Sequence, residues 1–401
     1  MPTELTATDF LKRAARVAEH FGFLSIAECH KHPDCKNCVG TLRHTASMQD
    51  RRLDALHGML TAGISTYTTG KLHGIQSPIL CYSIEHVPRT GEAALSMQVF
   101  NVEKSIAESL LIQASRAIAR ELGFGEQVVR VNSVGDSDSV ARYTRELTNF
   151  MRKRAADLPP AARELMKDHV IDALLHLIEK DHELSYRSPS PLEYLSDASR
   201  RHFREIVEYL EMSETPYEID PKLIGHLNCY SDGIFAIDAH NPSADNPPAQ
   251  STQHGTASLF IRGGRYNTFM RRHTKQEIPA AGAVVILRGK KAPRRTPAAQ
   301  TQRPSVYLVQ LGFGPKIRSL MLLDLLRQAG VPTYQNLASD SLSTQLRDAE
   351  ERGVKYVVII GQKEYVDNAA ILRNLHARSQ EQVPFTDLVA RLKRSVSATS
   401  Q

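Results

Sequence analysis

Apolar positions recur at two different spacings along this chain of 401 residues. Near the start, Phe10, Leu11, Ala14, Ala15 and Val17 fall on one helical face. That spacing predicts a helix over Thr8 to His20, with Thr8 as its cap. FGFLSI, from Phe21, reads as a short strand. Helical spacing returns in SIAESLLIQASRAIARELGF, from Ser105. Residues Ala141 to Glu214 are polar and helix-rich, and LPPAARELMKDHVIDALLHLI and SDASRRHFREIVEYLEM are their amphipathic pieces. Between these helical stretches, VVRVNSVGDSDSVARYTREL reads as strand, turn and helix. Two short continuous apolar runs, Ile234 to Ile237 and Ser258 to Ile261, suit buried strands. The second run closes on Gly263 and Gly264, which permit a tight turn.

Past Pro304 the pattern changes. VYLVQLG is a buried strand, PKIRSLMLLDLLRQAG a helix with a glycine stop, and VPTYQNL a strand. SLSTQLRDAEERG is a helix, VKYVVIIG a strand, and AAILRNL with EQVPFTDLVARL completes the unit. Such alternation with short connections predicts a parallel or mixed α/β sheet. The intervening GKKAPRRTPAAQTQRP, Gly289 to Pro304, reads as an extended basic linker.

Composition narrows the class. With 41% hydrophobic residues, a chain of this length can bury a large core, and two or three domains are expected. The net charge of +6 permits contact with nucleic acid. The N-terminal stretch has no long apolar core and no run reaches membrane-spanning length, so a cytoplasmic protein that spans no membrane is expected. Five cysteines without an export signal argue against a disulfide framework. Three of them lie in CHKHPDCKNC. Cys29, Cys35 and Cys38, with His30 or His32, could supply four zinc ligands, and the alternative is a polar loop rich in these residues.

The stretch PYEIDPKLIGHLNCYSDGIFAID, Pro216 to Asp238, followed by GGRYN at Gly263 to Asn267, resembles the catalytic core of histidyl-tRNA synthetases. The KYVVIIG strand and the EQVPFTDL ending are similar to the anticodon-binding domain of the same family, and the resemblance runs from about Phe21 to Leu392. It implies an α/β chain with an α+β core of class II type: an antiparallel sheet with flanking helices, a helical insertion, and a C-terminal α/β domain. The implied segments are core over 1–140, insertion over 141–214, core again over 215–290, linker over 291–304 and anticodon-binding-like domain over 305–394. It further implies a homodimer, tRNA or another RNA as partner, and ATP with Mg²⁺ if the chain is active.

The resemblance also assigns roles residue by residue. Thr61, Gln98, Glu103, Tyr230, Arg265 and Tyr266 stand where the family surrounds histidine. His57 and Met59 replace an arginine and a glutamate of that pocket. The arginine that grips the α-phosphate is replaced by Ile84, or by Ser83 if the register slips by one. Gly225, beside His226, replaces the arginine at the substrate carboxylate, and Asn228 replaces an aspartate. Gly289 stands where an arginine stacks on adenine; Arg288 is one residue early, which on a helix points roughly 100° away. Arg89 and Arg288 remain as candidates to bind ATP. In the C-terminal unit, Ser343 and Thr344 stand where the family often places lysine, which weakens one expected phosphate contact. With three arginine positions lost, the expected protein is a degenerate relative that keeps RNA binding and has weak or no aminoacylation. The alternatives are an active, divergent histidine–tRNA ligase and a histidine-sensing subunit like the synthetase-like partner of ATP phosphoribosyltransferase. That partner normally lacks a C-terminal module.

Overall fold

The computed structural model describes residues 5–25, 63, 67, 77–87, 90–225, 229–240, 258–291, 304–337 and 339–397. Helix α1, Ala7–His20, begins one residue before the expected start. Its cap is Thr6 rather than Thr8: the Thr6 hydroxyl accepts the Asp9 N–H at 3.1 Å, leaving Thr8 inside the first turn. Phe10, Leu11, Ala14 and Ala18 on its inner face are fully buried. Each large side chain of that kind contributes roughly 1.5–3 kcal/mol on burial.

The core is an eight-stranded sheet. Its strands are β1 (Leu24–Ser25), β2 (Ile79–His86), β3 (Glu92–Phe100), β4 (Val129–Ser133), β5 (Tyr217–Ile219), β6 (Ser231–His240), β7 (Ser258–Arg265) and β8 (Ala280–Lys291). They lie in the order β1-β2-β3-β8-β7-β6-β4-β5. Every pairing is antiparallel except the two at the edges, β1 with β2 and β4 with β5. Alternation divides the side chains cleanly between two faces. Leu95, Met97, Phe235, Ile261, Ala283 and Val285 face helices α1 and α2 (Ile106–Glu121). Ala94, Phe100, Ala236, Phe260, Val284 and Ile286 face the other way with Tyr230 and Tyr266.

Four helices follow β4: α3 (Ser137–Lys153), α4 (Pro160–Asp168), α5 (Val170–Glu179) and the single turn α6 (Glu183–Tyr186). They enclose a small apolar core of their own around Leu147, Met151, Leu174 and Leu177. Helix α7, Asp197–Met212, returns the chain to the sheet, and α8, Asn267–Thr274, follows β7.

Residues 280–291 correct one expectation, because they form a strand and not a helix. Ala, Val and Ile in this segment are buried between β3 and β7, where β-branched side chains pack well on a pleated surface.

The C-terminal unit holds a five-stranded sheet of order β10-β9-β11-β12-β13. Its strands are β9 (Val306–Gln310), β10 (Thr333–Gln335), β11 (Tyr356–Ile360), β12 (Ala369–Asn374) and β13 (Ser379–Pro384). The first three are parallel and the last two antiparallel, so the sheet is mixed. Helices α9 (Phe313–Gln328), α10 (Leu342–Glu351), α11 (Gln362–Val366) and α12 (Phe385–Ser397) connect and flank them. From sequence this unit reads as separate. In the fold, α9 packs on α1 and α2, and a single apolar cluster runs from Phe10 and Leu111 into Ile317, Leu320 and Leu323. Polar contacts cross the same seam. His20 Nε2 lies 2.9 Å from the Leu323 carbonyl, Arg120 pairs with Asp324 at 2.5 Å, Arg327 pairs with Glu121 at 2.5 Å, and Gln335 donates to the Phe21 carbonyl at 2.9 Å.

Candidate functional site

The expected pocket residues divide between the two faces of the large sheet. Gln98, on β3, is fully buried on the face away from α1 and α2. Its amide donates to the Ser96 hydroxyl at 2.8 Å, and its carbonyl accepts the Tyr266 hydroxyl at 2.6 Å. Tyr266 caps α8 and is fully buried, which pushes its phenol well above the ordinary value. Tyr230 belongs to the same apolar cluster. Gln98, Tyr230 and Tyr266, expected together from sequence, lie on one side of the sheet.

Strand register puts Ser83 and Ile84 on opposite faces of the sheet. Ser83 pairs across the sheet with Ser96, and so shares the face of Gln98. Ile84 pairs with Leu95 and packs into the helix-side core. The residue facing the candidate site is Ser83, whose hydroxyl cannot make the bidentate, charged contact of a guanidinium.

Gly225 is packed against Tyr230. A Cβ built at Gly225 would overlap the Tyr230 ring. The ring therefore occupies the space that any side chain at 225 must enter, including the arginine the resemblance implies. Arg288 sits on β8 with its guanidinium 4.5 Å from the centre of the Phe260 ring. In a strand, adjacent residues point to opposite faces, so the helical 100° argument does not apply. Arg288 lies on the Phe260 side, while Gly289 adopts φ +73° and donates its N–H to Glu92 at 2.8 Å.

Two expected pocket residues lie elsewhere. Glu103 lies exposed in the loop between β3 and α2. Arg265 is fully buried beneath that loop. It donates to Glu108 at 2.8 and 2.7 Å, to the Val102 carbonyl at 2.8 Å and to the Lys104 carbonyl at 3.1 Å. This places the Arg265 guanidinium among loop and helix groups and away from Gln98. His202 approaches the same carboxylate at 2.8 Å. Burial alone would raise the Glu108 carboxyl, but Arg265 and His202 outweigh it and hold it at about 2.

Sequence reasoning overlooked Glu108, His202, Arg262 and Asp238. Arg262 is buried on the site face, makes two bonds of 3.1 Å to Asp238, and lies 3.7 Å from the Phe260 ring centre. Arg130 joins Asp238 at 2.6 Å and Asp220 at 2.9 Å. A charge inside an apolar run was the available signal: Glu108 interrupts SIAESLLI, and Arg262 interrupts SLFIRGG.

Thr61, Arg89, His57, Met59, His226 and Asn228 lie outside the described residues, as do Cys29, His30, His32, Cys35 and Cys38. Among the described residues, no group of three or more His, Cys, Asp or Glu side chains is arranged to hold a metal ion.

Residues 318–395 match the family described as "Anticodon binding domain". The histidine–tRNA ligase of Geobacillus thermodenitrificans is 26% identical over 276 residues, 68% of this chain and 62% of that protein. The histidine–tRNA ligase of Sorangium cellulosum is 27% identical over 287 residues, 72% of this chain and 64% of that protein. The matches thus span slightly less than two thirds of these relatives. Among solved structures, apo histidyl-tRNA synthetase of S. aureus aligns with 96% of this chain and 94% of that chain, at 16% identity and a TM-score of 0.49. The antiparallel sheet with its flanking helices is followed by the mixed C-terminal sheet, most of which lies within the match to an anticodon-binding domain. Over 68–72% of its length the chain is similar to histidine–tRNA ligases.

Proposed function

We infer that this protein binds tRNA or another RNA through its C-terminal module and has weak or no aminoacylation activity. The observation that carries the second half is Gly225. Its neighbour Tyr230 fills the space that a carboxylate-binding arginine would need. Ser83 facing the same side leaves a hydroxyl where a phosphate-gripping guanidinium is expected. One preorganised charged group of this kind is worth roughly 3 kcal/mol at the transition state. Two such losses correspond to a rate reduction of about four orders of magnitude. RNA binding is supported by the match of residues 318–395 to an anticodon-binding domain. A cytoplasmic homodimer is the assembly proposed with this reading.

One observation favours the second reading, an active ligase using ATP with Mg²⁺. Arg288 and Arg262 both lie against the Phe260 ring on the site face. An aromatic ring with two guanidiniums suits the floor of a site for an adenine and its phosphates. Histidine- and ATP-dependent pyrophosphate exchange separates the two. The proposed function expects exchange at the background rate of a protein-free control. Exchange well above background, lost in Arg288→Ala, would establish the second reading instead.

A further inference from the structure

The seam between the large sheet and the C-terminal unit contains a charge cluster outside the candidate pocket. Lys316 lies in the first turn of α9, and its side chain is only 4% exposed. The position is doubly unfavourable for a cation. Burial removes water from the ammonium, and the first turn of a helix is the positive end of its dipole. Burial accordingly lowers Lys316 below the ordinary lysine value, and Asp340 opposes that shift. A group so placed requires an anion.

Asp340 supplies it, 2.6 Å from the Lys316 ammonium. The same carboxylate holds Lys104 at 2.5 Å, and Lys104 comes from the loop between β3 and α2 of the large sheet. Asp340 is followed directly by Ser341, the cap of α10, so a second helix N-terminus opens beside it. Two ammonium groups and two positive helix ends thus converge on one carboxylate. The carboxylate and Lys104 are open to water, with 45% and 65% of their side chains exposed, and Lys316 lies beneath them. Within this cluster the two lysines outnumber the carboxylate by one charge. The first turn of α10 itself offers only the hydroxyls of Ser343 and Thr344.

We propose that Lys316 and Lys104 form a phosphate-binding site for RNA, and that Asp340 masks it as an internal anion. This rests on the reading of the C-terminal unit as an RNA-binding module. A backbone phosphate displaces the Asp340 carboxylate, which swings into water, and then bridges the two lysines. Because Lys104 belongs to the loop that also carries Glu103, RNA seated here touches both halves of the molecule.

The test is fluorescence anisotropy of the full chain with a labelled oligouridylate of about twelve nucleotides, measured over a series of salt concentrations. Asp340→Asn removes the competing anion. It is expected to tighten binding about three- to tenfold and to steepen the salt dependence by about 0.7 in log–log slope, one phosphate's worth on a single strand. Lys104→Ala alters a side chain at the surface, so folding is not at risk. It is expected to weaken binding about two- to fivefold, to reduce the slope by about 0.7, and to cancel the gain of Asp340→Asn. If Asp340 were only a structural clamp, its removal would weaken binding or leave it unchanged, and that outcome overturns the site. Should Asp340→Asn not fold, an unaltered slope in Lys104→Ala overturns it equally. RNA binding with unaltered slopes defeats this site alone, whereas no binding by any form defeats the RNA-binding reading as well.

Discussion

At the residue scale, the central feature is the Glu108 carboxylate, enclosed by Arg265 and His202 and buried with the former. Its folded value of about 2 lies below the ordinary one. The stability it contributes is therefore complete above the unfolded carboxylate range and is lost as pH falls toward 2. His202 is shifted the other way: burial lowers it, but Glu108 raises it further. Its contribution is complete below the ordinary histidine value and is lost as pH rises through the raised one. Removing one partner of a buried pair costs about 3–5 kcal/mol, because the other charge is left uncompensated. Glu108→Gln should lower the unfolding free energy by about that amount in urea titrations at pH 7. Since Arg265 holds the Val102 and Lys104 carbonyls, the same variant should raise hydrogen exchange in the 101–105 loop before it does so in β3. Unchanged stability would show that Arg265 finds another acceptor.

At the element scale, α1 is the helix on which the two halves meet. His20, in its last turn, faces Leu323 of α9. Burial lowers the imidazole to about 4, more strongly than the hydrogen bond to the Leu323 carbonyl raises it. The folded state thus prefers the neutral ring, with Nε2–H donating. Stability from this group is complete above 6.5 and is lost as pH falls toward 4. A displacement of that size corresponds to about 2–4 kcal/mol at 1.36 kcal/mol per unit. Melting temperature should therefore fall between pH 7 and pH 4 in the native protein. His20→Gln keeps a donor for the carbonyl and cannot take up a proton, so its melting curve should be flatter over that window. Equal slopes would place the acid sensitivity elsewhere. The contrast between α1 and β8 shows what periodicity resolves: the α1 pattern is amphipathic and was readable, whereas β8 is apolar on both faces. A short run of that kind fits a buried strand or a buried helix equally well.

For the whole molecule, the shared core is the main departure from a chain of independent units. Ile317, Leu320 and Leu323 of α9 belong to the same apolar cluster as Phe10, Phe21 and Leu111. A protein ending before Pro304 would expose the faces of α1 and α2 that α9 covers, and patches of several hundred Å² promote association. Such a truncation should bind a hydrophobic dye strongly and elute as aggregate. A monodisperse, dye-negative fragment would show that the units fold independently. The same docking makes the C-terminal unit a wall of the molecule, which is how Lys104 and Asp340 come to face each other.

Much of this was legible along the chain. Helical spacing announced α1, α2 and α7. Strand–helix alternation announced the C-terminal sheet, and the motif runs around Tyr230 and Tyr266 carried the family resemblance. These signals are local, since each depends on neighbours a few residues apart. Register was not local. The orientations of Ser83 and Ile84 follow from pairing with β3, and a slip of one residue would exchange their faces. The engagement of Arg265 by Glu108 and the filling of the space beside Gly225 by Tyr230 were equally hidden. So was the convergence of two lysines on Asp340. Each of these joins segments that only packing brings within a few ångströms, and charge or size at one position carries no record of the partner across the fold.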